Sequence, residues 1–211
     1  SGDSLDREHA GITVGGKGTL LEDNLVENTL FGIYLHNAPD STLRGNTIIG
    51  KDLPISRRGD GIKIWYSANS LVENNNVHDT RDSVIWFSPG TTVRGNTMQN
   101  NRYGIHFMST DDHLIEDNVV RNNSVGIYLM YGNNYTIRRN LFINNRGPSG
   151  YGLGLKEINN GVFEGNRLVN NRVGVYIDSS PLRPEALVEF ARNLFAYNDI
   201  AALMLPNTHH N

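Results

Sequence analysis

Three residues stand at intervals that suit soft-metal chemistry. His106 and Met108 form a His-Phe-Met segment, and Met130 follows 22 residues later. Thioether and imidazole donors favour Cu(I). A second set could do different chemistry. Asp60, Asp82, Asp111 and Asp112 fall in turn-like stretches, and clustered carboxylates hold Ca²⁺ or, paired across a groove, act on glycosidic bonds. A carbohydrate-active enzyme, either a polysaccharide lyase or an epimerase, is therefore the alternative to a copper-handling protein. Arg58 and Arg81 lie beside Asp60 and Asp82, so ion-paired turns explain those carboxylates more simply. No carboxylate pair faces a lone Lys, Arg or His base. The chain has no cysteine, which excludes disulfides, Cys-ligated zinc and a cysteine nucleophile. Its net charge of −3 argues against nucleic-acid binding. No run approaches the ~20 apolar residues of a membrane span.

For Met108 and Met130 to act together, something must place them side by side. The chain repeats itself. A small residue followed by apolar–x–apolar begins at Gly11, Gly32, Gly61, Ser83, Gly104, Gly126, Gly152 and Gly174, with a weaker copy at Ala201. Most intervals are 21 or 22 residues, and the longer ones carry insertions near 51–58, 146–151 and 181–186. Each repeat holds a second segment with an embedded Asn: Asn24, Asn46, Asn75, Asn96, Asn118, Asn140 and Asn166, with a remnant at Asn193. Short alternating segments bounded by Gly, Asn and Asp read as half-buried strands and tight turns. The surplus of Asn and Gly disfavours long helices. The Leu-x-x-Leu-x-Leu signature of a leucine-rich repeat is missing. The reading is an all-β, right-handed parallel β-helix of about eight to nine coils, forming a single domain over 1–211.

Such coils stack at ~4.8 Å, so equivalent residues form columns. The Asn column is expected to be architectural, with side-chain amides bonded from layer to layer. Counting the small residue as zero, positions one and three face inward. Met98 and Met204 are then packing residues. Position four faces outward and reads His36, Trp65, Phe87, Met108, Met130, Lys156; position two includes His106 and Tyr128. An outward run of Trp65, Phe87, Met108 and Met130 is an exposed apolar stripe, a mark of a binding surface. On this reading Met108, Met130 and His106 are metal ligands, with His106 roughly 7 Å along its strand. Trp65, Phe87, His36, Tyr128 and Lys156 contact partners. His9, His78 and His113 read as solvated turn residues. The insertion 51–58, with Pro54, projects as a loop ending in Arg57-Arg58.

A solenoid needs polar caps over its end layers. Ser1–His9 is too short to supply one, and the last repeat stops at Thr208–Asn211, so a portion of a longer solenoid is expected. His209-His210 is read as an ordinary turn.

Six segments, in order, resemble the NosD family. They are Arg57-Arg-Gly-Asp-Gly-Ile-Lys-Ile-Trp65, Arg81-Asp-Ser-Val-Ile-Trp-Phe-Ser88, Arg102-Tyr-Gly-Ile-His-Phe-Met108, Val125-Gly-Ile-Tyr-Leu-Met-Tyr131, Gly152-Leu-Gly-Leu-Lys-Glu157 and Val173-Gly-Val-Tyr-Ile-Asp-Ser-Ser-Pro-Leu182. Outside 57–182 the likeness is only repeat-like. The resemblance implies a periplasmic β-helix without catalysis of its own. It implies work with the ABC-transporter subunits NosF and NosY, with NosL as copper donor, in maturing the copper centre of nitrous-oxide reductase. Any membrane association is through those partners. The family's recurrent His-x-Met and Leu-Met-Tyr motifs coincide with the outward columns. Ser109-Thr-Asp-Asp112 departs from the family, which more often has Tyr-Ser after that Met.

Overall fold

The computed structural model describes residues 9–205. Short strands, each paired in parallel with its equivalent in the next coil, build a right-handed β-solenoid of about eight turns. Helical structure among the described residues is one 3-10 turn, Ile55–Arg57, inside the first insertion. Each coil has three strands. In one central coil they are Tyr103–Met108, His113–Glu116 and Val119–Arg121. First and second strands stack into one sheet, and third strands into another. Between the sheets lies a column of Ile, Leu, Val and Phe. Leu35, Ile64, Ile85, Phe107, Leu129, Leu155 and Ile177 stack in register and are all buried.

Asn suits the corners because its amide has both donor and acceptor. At the second corner Asn96 donates from its backbone N–H (2.9 Å) and from Nδ2 (3.0 Å) to Oδ1 of Asn118. Nδ2 also donates to the Val72 carbonyl of the preceding coil. The pattern runs from Asn24 to Asn193. A second ladder, beyond the one expected from the repeats, runs at the third corner through Asn101, Asn123, Asn145, Asn171 and Asn198. Its signal was in the sequence, in the doublets Asn100-Asn101, Asn122-Asn123, Asn144-Asn145 and Asn170-Asn171.

The outer ends of the second strands carry a column of alternating charge. Glu22, Arg44, Glu73, Arg94, Glu116, Arg138 and Glu164 stack in register. Arg44 reaches Glu22 (3.0 Å) and Glu73 (2.6 Å); Arg94 reaches Glu73 (2.7 Å), and Arg138 reaches Glu116 (2.8 Å). Like charges directly opposite would repel, and alternation avoids this in every layer.

Met98 is buried between Val77 and Val120, as expected. Met204 continues the inward column below Ile177 but is 68% exposed. No further described coil covers it, and it lines an apolar hollow of about 320 Å³ with Ile177, Phe190 and Phe195. Apart from His9, the segments Ser1–His9 and Thr208–Asn211 lie outside the described residues, as does His209-His210.

The Asn ladder should dominate local stability. Asn118→Ala leaves buried donors of Asn96 unpaired and should cost about 3 kcal/mol in urea unfolding. Arg121→Ala, exposed on the next strand, should stay within about 0.5 kcal/mol.

Candidate functional site

The site lies on the outer face of the first strands. Pairing corrects one coil of the sequence reading. Ser83 pairs with Ile62, Ile85 with Ile64, and Trp86 with both Trp65 and Met108. The outward row is therefore His36, Trp65, Trp86, Met108, Met130, Lys156, Asp178, and Trp86 takes the place assigned to Phe87. The cause is plain. Val84-Ile-Trp-Phe87 is apolar at every position, so alternation sets no phase. The smaller Ile85 enters the core, and Trp86 stays half-buried outside.

Phe87 belongs instead to a turn column with left-handed backbone: Tyr66 (φ 47°), Phe87 (49°), Ser109 (51°), Tyr131 (59°) and Glu157 (52°). Bulky residues rarely adopt this conformation. Here it folds aromatic rings over the row. Phe87 stacks on Tyr66 (centroids 5.0 Å apart) and on Trp86 (5.5 Å), and Trp86 meets Trp65 edge-on at 4.4 Å. Trp86 Nε1 is buried without a hydrogen-bond acceptor among the described residues.

Below this cluster lie the three expected metal donors. Met108 and Met130 are register partners in adjacent coils, as are His106 and Tyr128. His106 Nε2 lies 3.2 Å from Met130 Sδ, so the imidazole leans across to the next layer rather than standing apart along its own strand. All three side chains are half-buried. The His106 ring packs edge-on to Tyr103 (5.1 Å) and parallel to Tyr128 (6.3 Å). Tyr128 leans into room left by Gly154, where a Cβ would lie 2.6 Å from the ring. Tyr151 and Tyr176 extend the aromatic row, stacked at 4.3 Å. Lys156 follows Met130 in the row and lies over the Tyr131 ring. His36 is exposed three layers from Met108, about 14 Å by strand spacing, and is not brought to the donors.

The four carboxylates of the enzymatic alternative are all engaged. Asp82 lies level with Gly61, since Ser83 pairs with Ile62. Asp60 accepts from Arg81 (2.9 Å), and Asp82 accepts from Arg102. Arg58 points elsewhere, to the carbonyls of Leu53 and Asn100. Asp111 caps Asn133, and Asp112 accepts from Asn134. Among the described residues no three His, Asp or Glu side chains gather as a metal cluster. A donor set built on thioethers remains, and its softness fits Cu(I) rather than a hard cation.

The fold and this face define a parallel β-helix that presents an aromatic and thioether surface. The chain belongs to the NosD family, whose model, described as periplasmic copper-binding protein, matches residues 48–211. The match thus extends on both sides of residues 57–182. No curated protein matches the chain. The periplasmic alginate epimerase AlgG superposes with a TM-score of 0.67 at 18% identity, covering 91% of this chain and 51% of that one. The mannuronan C-5 epimerase AlgE4 A-module of Azotobacter vinelandii gives 0.57 at 15%, covering 92% and 63%. The AlgE6 A-module of the same organism gives 0.56 at 13%, covering 90% and 64%. At such identities the likeness is one of fold. The chain spans between about half and just under two-thirds of those chains' lengths. Among the described residues no helix is long and apolar enough to cross a membrane.

His113, expected in solvent, is buried beneath the turn after Met108. The turn residue Asp112 precedes it, and its ring packs on Phe107 and Tyr135. Nδ1 donates to the Thr91 carbonyl (3.2 Å), and Nε2 accepts from Thr110 Oγ1 (3.1 Å), so the neutral ring fits. Burial pushes its pKa down to about 4, against the raising effect of the Thr91 bond. The folded pKa lies below the unfolded value, so the unfolded chain binds the proton more readily. Stability contributed by neutral His113 is full above pH ~6.5 and falls as pH drops toward 4, by about 3 kcal/mol at most. Unfolding measured across that window should lose roughly one proton's worth of slope in His113→Phe. An unaltered slope would contradict this account.

Proposed function

We propose that the protein is a periplasmic, non-enzymatic copper-handling member of its family, and that Cu(I) is its cargo at His106 and Met130, with Met108 beside them. The carrying observation is the 3.2 Å approach of His106 Nε2 to Met130 Sδ on an outward face. Neither group belongs to the core column, which runs through Phe107 and Leu129 on the opposite side of the strands. Membership of a family described as periplasmic copper-binding supports the same cargo and compartment. The surrounding aromatic face, with Trp65, Trp86, Phe87, Tyr128 and Lys156, is the docking surface in this reading. The partners are those the family resemblance implies: NosL as donor, NosF and NosY as the transporter subunits, and nitrous-oxide reductase as recipient. The membrane is met only through them. The epimerase reading has fold likeness behind it, but Asp60 and Asp82 are locked in ion pairs with Arg81 and Arg102.

Competition titration of Cu(I) tests the cargo. Met130→Leu, which conserves volume, should weaken binding on the order of tenfold or more, about 1.4 kcal/mol per decade. Met108→Leu should act less, because Met130 is the thioether that touches His106. Binding should also alter the emission of Trp86, one of only two tryptophans. Equal affinity in wild type and both variants would overturn the ligand assignment.

A further inference from the structure

Asp82 is 2% exposed, although a buried carboxylate is costly unless paired. Arg102 holds it in a fork, with Nε donating to Oδ1 at 2.9 Å and Nη2 donating to Oδ2. The Tyr103 backbone N–H also donates to Oδ1, at 3.2 Å. On its remaining side, Oδ2 faces His106 Nδ1 at 3.8 Å. The other ring nitrogen of the same histidine is the one beside Met130 Sδ. The strands are irregular at this point. Asp82 pairs with Tyr103 and Val84 with His106, so two steps oppose three. Such bulges re-aim a side chain, and this one turns His106 toward Asp82 and the next coil.

The neighbouring pair serves as an internal comparison. Asp60 is held by Arg81 through an equivalent fork one layer away, but the outward residue beside it on the following coil is Val84 rather than a histidine. The two carboxyls differ accordingly. Burial raises Asp60, with Asp82 adding to the rise against Arg81. Burial also pushes Asp82 upward, but His106 and Arg102 together outweigh it and hold Asp82 below the usual carboxylate range.

We propose that Asp82 is a positioning residue that keeps the imidazole proton of His106 on Nδ1, so that Nε2 offers its lone pair toward Met130 Sδ as the nitrogen donor of a soft-metal site. The inference rests on the copper reading above. A neutral imidazole has one N–H and one lone pair, and the proton must be on the nitrogen that does not bind the metal. A carboxylate at the second nitrogen is the usual means of arranging this. Asp82 is not itself a ligand, because Arg102 occupies both its oxygens. Arg102 keeps the carboxylate ionised and fixed.

The test uses the full chain and two readouts. Long-range ¹H–¹⁵N NMR above the imidazole titration range should show the wild-type His106 protonated at Nδ1 in the metal-free protein. In Asp82→Asn that preference should be lost, and affinity for Ag(I), a redox-inert probe of soft sites, should fall about 10- to 100-fold. Asp60→Asn, with the same fork removed but no histidine beside it, should leave both the tautomer and the Ag(I) affinity unchanged. Wild-type protonation at Nε2, donating to the Met130 sulfur, would overturn the proposal without any variant. So would an Asp82→Asn protein with unchanged tautomer and affinity. If the wild type fails to bind Ag(I), the copper reading and the donor role of Nε2 fall together. The tautomer measurement would still decide whether Asp82 sets the proton.

Discussion

In a parallel β-helix every side chain faces its own equivalent one strand spacing away, about 4.8 Å. That single constraint orders the rest of this molecule. A residue type survives in a column only if it can stand beside a copy of itself, or beside a chosen complement. Asn can, because one amide donates upward and accepts from below, and two corner ladders exploit this. Charges cannot, and the Glu22-to-Glu164 column answers by alternating sign. Aromatic rings can stack, as Tyr151 and Tyr176 do at 4.3 Å and 4°. The same rule brings Met130 into the layer beside His106 and Met108, more than twenty residues earlier in sequence.

Much of this was legible in the chain because the repeat is both the fold and its own alignment. The Asn24 to Asn193 column, the three insertions and the adjacency of Met108 to Met130 all follow from counting. What escaped counting has physical causes. Val84-Ile-Trp-Phe87 has no alternation, so its phase is set by which residue the core can hold, and a strict count places Trp86 inward. His113 looks polar in the sequence but finds Thr91 and Thr110 beneath the turn, and partners of that kind are invisible without the third dimension. The Asp82 link to His106 depends on a bulge, an irregularity that a strict repeat cannot forecast. Two of these departures, the phase of Trp86 and the bulge before His106, lie at the candidate site.

Those two departures bear on how a solenoid can acquire a site at all. Its columns favour sameness, whereas a metal or a partner needs different groups converging on one point. The outward row satisfies both demands by changing gradually, from Trp65 and Trp86 through Met108 and Met130 to Lys156 and Asp178. Each neighbour is compatible with the next. Lys156 stacks beside Asp178, and the methionines bridge from aromatic to charged layers. The left-handed turns at Tyr66, Phe87 and Tyr131 then fold further rings across the row, at a cost of about 1 kcal/mol or more each.

Rigidity beneath the row is what makes a two-donor arrangement chemically useful. A soft-metal site of exposed thioethers on flexible loops would lose much of its affinity to ordering the ligands. Here the candidate donors stand on strands whose inward neighbours, Phe107 and Leu129, are fully buried, and whose corners are bonded layer to layer. His106, Met108 and Met130 are themselves only partly exposed. Such a site is ordered before any metal arrives, yet remains open on one side. That combination suits the proposed role, in which a metal is received from one surface and yielded to another.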